Sequence, residues 1–248
     1  EIYQRIKKRW DLKLSEDNVL DDLREKNVTY GLVYNAIMTD LLVDGKQNEI
    51  WGEKTTLVWK QIPDFLKMFP NGRVILIIRD PRAVLASWKQ MTNAPGNDYL
   101  DAVINCRSAI ETASGFDRKY PEKRYLTLKY EDLVLKPEKT IRNLCKKLDI
   151  NFSEKMLESS KFVDKKGEQW HGNSMFKQKL NGISTDMIDK WKNKLDDWEV
   201  LIVETVVGNL LDKYGYDKKI KNVEDDVLNK SISEIMKSDL ASEGLLRC

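Results

Sequence analysis

Arg79 and Ser87 stand eight positions apart within Val74 to Gln90, VILIIRDPRAVLASWKQ, and their types suit the grip of a phosphate. Arginine offers a rigid fork of donors that matches phosphate oxygens, and a serine hydroxyl adds another polar contact. The same residues also allow a plainer role, in which Arg79 caps a carboxylate and Ser87 is a small helix residue.

The elements around them make the phosphate geometry feasible. Val74-Ile75-Leu76-Ile77-Ile78 is a short apolar, mostly β-branched run, which predicts a strand buried on both faces. Asp80 is a natural N-cap and Pro81 suits the first helical position, so a helix follows through Ala83, Val84, Ala86, Ser87 and Trp88. Arg79 then sits at the carboxyl end of the strand, the edge at which open α/β sheets bind ligands. Arg124 to Tyr130 predicts a second core strand. Amphipathic spacing predicts helices from Ser15, over Val28 to Leu42 with Tyr30, Val33, Ile37 and Leu41 on one side, and over Lys60 to Phe69. Further helices are expected over about Asp98 to Arg118, from Lys136-Pro137, and through Trp198 to Leu210, ending near Gly215. Ile50 to Thr56 reads as a short strand or extended segment, and Asp44 to Asn48 and Asn93 to Asn97 as turns or loops. Helices alternating with strands predict an α/β fold, a parallel sheet with helices on both faces.

The Arg79-to-Ser87 spacing inside RDPRAVLAS resembles the motif with which sulfotransferases hold the 3′-phosphate of 3′-phosphoadenosine 5′-phosphosulfate, in the broad bacterial and Golgi-type branch. The resemblance implies a P-loop-kinase-like sulfotransferase fold and transfer of a sulfuryl group to a hydroxyl or amine, with Arg79 and Ser87 binding the donor. Glu53-Lys54-Thr55 is similar to the family's glutamate-lysine-serine/threonine stretch, and it too precedes an amphipathic helix and the RDPR strand. By that resemblance Glu53 is the catalytic base and Lys54 stabilises charge near the sulfuryl group. Read alone, the pair would be exposed neighbours at a strand edge; beside Arg79 and Ser87 the catalytic reading is preferred. Tyr130-Glu131-Asp132-Leu133 resembles the family's Tyr-Glu-Asp-Leu segment, and its acids are expected to cap the following turn or pair with Arg79 or Arg82. Trp170 to Phe176 corresponds in order to the family's nucleotide-covering loop, with Lys165, Lys166 and Lys177 as basic candidates.

The family's 5′-phosphosulfate loop is a glycine- and serine-rich strand-to-helix turn, and nothing between Glu1 and Trp51 matches it. The expectation is that this loop and its strand precede Glu1, the chain being truncated at its start. The alternative is a diverged, non-catalytic binding module. A kinase-like enzyme of the same broad fold is a further rival, but it needs a magnesium-holding carboxylate and a Gly-rich loop with Lys-Ser or Lys-Thr.

Bulk properties narrow the partners. The 248 residues fit one α/β domain, expected over 1–217, followed by a charged helical tail over 218–248. Lysine plus arginine (42) barely exceeds aspartate plus glutamate (40), so net charge offers no argument for nucleic acid. Cys106, Cys145 and Cys248 lack metal or disulfide spacing, and Cys106 and Cys145 read as core thiols. His171 is the only histidine, which gives a Ser-His-Asp triad or a histidine metal site little support. No metal is expected. No apolar run approaches the roughly 20 residues of a membrane span, and a cytoplasmic location is expected, a targeting segment before Glu1 aside. The acceptor is left open among saccharide, protein, lipid and small molecule.

Overall fold

The computed structural model describes residues 15–24, 27–42, 50–90, 98–163, 169 and 183–238. The expected turns at 44–48 and 93–97, the 170–176 loop, Lys165, Lys166, His171, Lys177 and Cys248 lie outside them. The chain divides into two compact units, Glu1–Gly72 and Arg73–Cys248.

In the first unit, α1 (Glu16–Leu23) begins at Ser15, whose hydroxyl accepts from the Asn18 amide at 3.2 Å. It pairs with α2 (Tyr30–Leu42), where Asp40 accepts from the Ser15 amide at 2.8 Å and from Asn18 Nδ2 at 3.0 Å. Helix α3 (Ile62–Met68) follows a single 3-10 turn at Trp59–Gln61 and buries Ile62 and Leu66. The buried side of α2 differs from the predicted one: Ala36 and Met38 are enclosed, whereas Tyr30 is 88% exposed. Gly31 explains the choice, since a Cβ there would come within 2.9 Å of the Met68 carbonyl oxygen. That close backbone approach sets which flank of α2 meets α3. Residues 50–55 are irregular and carry no ladder.

In the second unit, β1 (Val74–Ile78) and β2 (Tyr125–Lys129) pair in parallel, Val74 opposite Tyr125 and Ile78 opposite Lys129. Helix α4 (Pro81–Lys89) leaves β1 directly, and its Asp80 cap accepts from the Arg82 amide at 2.9 Å, as the sequence predicts. Helix α5 (Asp101–Lys119) packs on both strands. One expectation fails in detail: Ile75 is 38% and Ile77 53% exposed, so β1 is not buried on both faces. An apolar run shows that a strand can be covered; whether it is depends on the layers that pack there.

After β2 the chain forms α6 (Tyr130–Leu135) and α7 (Pro137–Leu148). Glu131 and Asp132 lie in the first turn of α6, where carboxylates favour a helix start. Helix α8 (Asp197–Val207) enters through a capping box made by Asp196 and Glu199. Together with α4 and α5 it forms the main core, around Leu85, Leu100, Val103, Ile110, Val200 and Val203. Cys145 is buried and Cys106 half-buried, both as free thiols. The helix expected to run on towards Gly215 stops at Gly208 (φ +60°, ψ −134°) and restarts as the short α9 (Leu210–Lys213). α10 (Asp225–Lys237) packs on α8, and its buried Ser231 donates to the Trp198 carbonyl at 3.0 Å.

Gly208 gives a direct test of backbone strain. A Cβ would meet nothing nearer than the Thr205 carbonyl at 3.7 Å, so space is available and only the dihedral angles resist. Gly208→Ala is therefore expected to cost about 1–3 kcal/mol in denaturant unfolding. An unchanged midpoint would show that the turn relaxes.

Candidate functional site

The turn between β1 and α4 separates two arginines that look alike in sequence. Arg82 is saturated. Its Nε and Nη2 donate to Asp80 at 3.0 and 2.8 Å, and its Nη1 donates to Glu204 and to the Asp217 carbonyl, both at 2.8 Å. The guanidinium lies 4.2 Å from the Trp191 ring centroid. Burial disfavours the Arg82 charge, but the hydrogen bonds and charges of Asp80 and Glu204 outweigh it and raise its pKa. Glu204 also accepts from the Lys219 and Ile220 amides at 2.7 and 3.0 Å. This cluster ties the β1–α4 turn to α8 and to the segment after α9.

Arg79 is differently placed. One donor, Nη2, reaches the Met187 carbonyl at 2.5 Å, and the guanidinium carbon lies 4.4 Å from the Tyr130 ring centroid. Its Nε is buried and has no hydrogen-bond partner among the described residues. A buried N–H of a charged group without an acceptor is costly, and an anion would satisfy it. Tyr130 stacks there because the parallel register, continued one residue past Ile78 and Lys129, sets Arg79 beside it. Ser87 is half-buried on α4, two turns from the cap.

The acids of the Tyr-Glu-Asp-Leu segment depart from expectation. Glu131 pairs with neither arginine. It accepts from the Asp80 amide at 2.9 Å and from the Tyr216 hydroxyl at 2.8 Å. Burial, then the charge and hydrogen bond of Glu131, push the Tyr216 phenol upward. Asp132 contributes its backbone carbonyl, which accepts from the Lys136 amide and the Thr140 hydroxyl. The acids thus hold the site's frame rather than an arginine.

Glu53 and Lys54 belong to the first unit and are exposed. Their segment is held against α2: Trp51 Nε1 donates to Asn35 Oδ1 at 3.0 Å, and the Tyr34 hydroxyl donates to Glu53 Oε2. Tyr34, Trp51 and Phe69 form an aromatic triangle with centroids 5.7–5.9 Å apart. Burial, then the hydrogen bond and charge of Glu53, push the Tyr34 phenol up to about 12. Tyr34, Tyr130 and the Met187 carbonyl were not legible as site groups, since each meets its partner through packing. A cavity of about 590 Å³ runs along β2, but none of Arg79, Ser87, Glu53 and Lys54 lines it. Among the described residues no cluster of His, Cys, Asp or Glu could hold a metal, and no helix is long and apolar enough to cross a membrane.

Comparison with known proteins places the chain among sulfotransferases. Protein-tyrosine sulfotransferase A of Caenorhabditis elegans is 25% identical over 203 residues, covering 79% of this chain and 53% of its own length. Protein-tyrosine sulfotransferase 1 of Homo sapiens is 26% identical over 223 residues, covering 86% and 59%. The chain thus spans little more than half the length of these relatives. In fold it is similar to the sulfotransferase domain of the curacin biosynthetic pathway, with TM-score 0.54 and 18% identity over 87% of this chain and 84% of that one. The sulfotransferase domain of the Synechococcus PCC 7002 olefin synthase gives the same TM-score at 19% identity, over 87% and 81%. The model of the sulfotransferase family matches residues 5–154, a span that holds Glu53, Lys54, Arg79 and Ser87, and the chain belongs to that family.

Proposed function

We propose that the chain transfers a sulfuryl group from 3′-phosphoadenosine 5′-phosphosulfate to a hydroxyl acceptor, with protein tyrosine as the acceptor class. The buried Nε of Arg79, without a partner among the described residues, carries this reading: it is a charge-assisted donor at a strand end, beside the Tyr130 ring, that an anion would satisfy. The names of the relatives support the acceptor class. In this scheme Arg79 and Ser87 hold the 3′-phosphate. Glu53 takes the acceptor's proton as the new oxygen–sulfur bond forms, and Lys54 stabilises charge on the sulfuryl group. The bond from sulfur to the 5′-phosphate oxygen breaks, and adenosine 3′,5′-bisphosphate leaves.

Titration calorimetry tests the donor site. Arg79→Ala is expected to weaken adenosine 3′,5′-bisphosphate by about ten- to a hundredfold, since a hydrogen bond to a charged group contributes roughly 1.5–3 kcal/mol. Adenosine 5′-monophosphate, which lacks the 3′-phosphate, should lose much less. Equal losses for the two nucleotides would overturn the assignment.

A further inference from the structure

A general base must lie within hydrogen-bond reach of the proton it removes. One phenol in the described structure meets that condition with Glu53, and it belongs to the chain itself. The Tyr34 hydroxyl donates to Glu53 Oε2, at an exposed contact, from a residue 38% open to solvent. The ring is held in the triangle with Trp51 and Phe69, and the neighbouring Asn35 anchors Trp51, so the phenol and the Glu53 segment are fixed in register. Resting on the reading of Glu53 as the base, we propose that Tyr34 is itself an acceptor, a self-sulfation site of this protein.

The step balances without a redox partner. The phenolic oxygen attacks sulfur, the bond between sulfur and the 5′-phosphate oxygen breaks, the phenol proton passes to Glu53, and adenosine 3′,5′-bisphosphate departs. A tyrosine phenol is protonated at neutral pH, and burial and Glu53 raise its pKa further, so transfer requires the carboxylate to take the proton during attack. The product has no proton to donate, and its fixed negative charge repels Glu53. Sulfation therefore ends the contact that permits it, and each chain is modified once.

Tyr30 is the internal control. It lies one turn earlier on α2 and is 88% exposed, more open than Tyr34. If exposure governs modification, Tyr30 is marked; if contact with the base governs it, Tyr34 is. Both fall in the tryptic peptide 27–46. The experiment incubates the full chain with 3′-phosphoadenosine 5′-phosphosulfate and no added acceptor, then locates any added SO₃ by fragmentation. The expected result is one SO₃ on Tyr34 and none on Tyr30, unchanged in Tyr30→Phe and slowed about 10²–10⁴-fold in Glu53→Gln. An unmodified Tyr34, or modification at Tyr30 instead, overturns this inference while Arg79-dependent binding of adenosine 3′,5′-bisphosphate leaves the proposed function standing. A chain that binds no such nucleotide overturns both.

Discussion

Glu53→Gln is expected to lower sulfuryl transfer to a tyrosine peptide by about 10²–10⁴, the usual cost of removing a general base. Glutamine keeps the shape of the side chain and can still accept from the Tyr34 hydroxyl, so the extended segment should stay against α2. What it loses is the capacity to take a proton. The affinity for adenosine 3′,5′-bisphosphate should therefore remain near that of the unaltered chain, because a base acts on the acceptor and not on the donor nucleotide. A fall in turnover without a fall in nucleotide affinity separates a base from a donor ligand. Full turnover in Glu53→Gln, measured beside an active parent, would remove Glu53 from the mechanism.

Arg82→Met should act on stability. The guanidinium is 4% exposed and stands between Asp80 and Glu204, which are themselves 7% and 4% exposed. Methionine fills much of the same volume but leaves two buried carboxylates without their cation. Breaking a buried pair from one side costs about 3–5 kcal/mol. For a chain of this size the melting temperature should fall by on the order of ten degrees. Arg79→Met should cost less, because that side chain holds one backbone carbonyl and one ring face. The two variants are thus expected to diverge, Arg82→Met in melting temperature and Arg79→Met in nucleotide affinity. Equal melting temperatures for Arg82→Met and the parent would show that the cluster around Glu204 contributes little.

Much of the framework is written in short stretches of chain. The β-branched run Val74–Ile78, the Asp80-Pro81 start of α4 and the strand Tyr125–Lys129 all fall where propensity and capping put them. Each depends on neighbours within a few residues: sterics favour the strand, the Asp80 carboxylate meets an amide two residues on, and Pro81 begins the helix with φ already fixed. The resemblance of RDPRAVLAS and Glu-Lys-Thr to sulfotransferase motifs is equally local, and the family match is in keeping with it.

The tertiary structure decided what those stretches do. Arg79 and Arg82 are separated by Asp80 and Pro81, yet only Arg82 is saturated, because Glu204 reaches it from 122 residues away. Tyr130 meets Arg79 through the register of two strands, and Tyr34 meets Glu53 through the folding of an irregular segment onto α2. The exposed Ile75 and Ile77, and the face of α2 set by Gly31 against Met68, follow the same rule. Periodicity and capping act along the chain and can be read there. Burial, charge pairing and ring stacking depend on which distant residues arrive, and packing alone determines that.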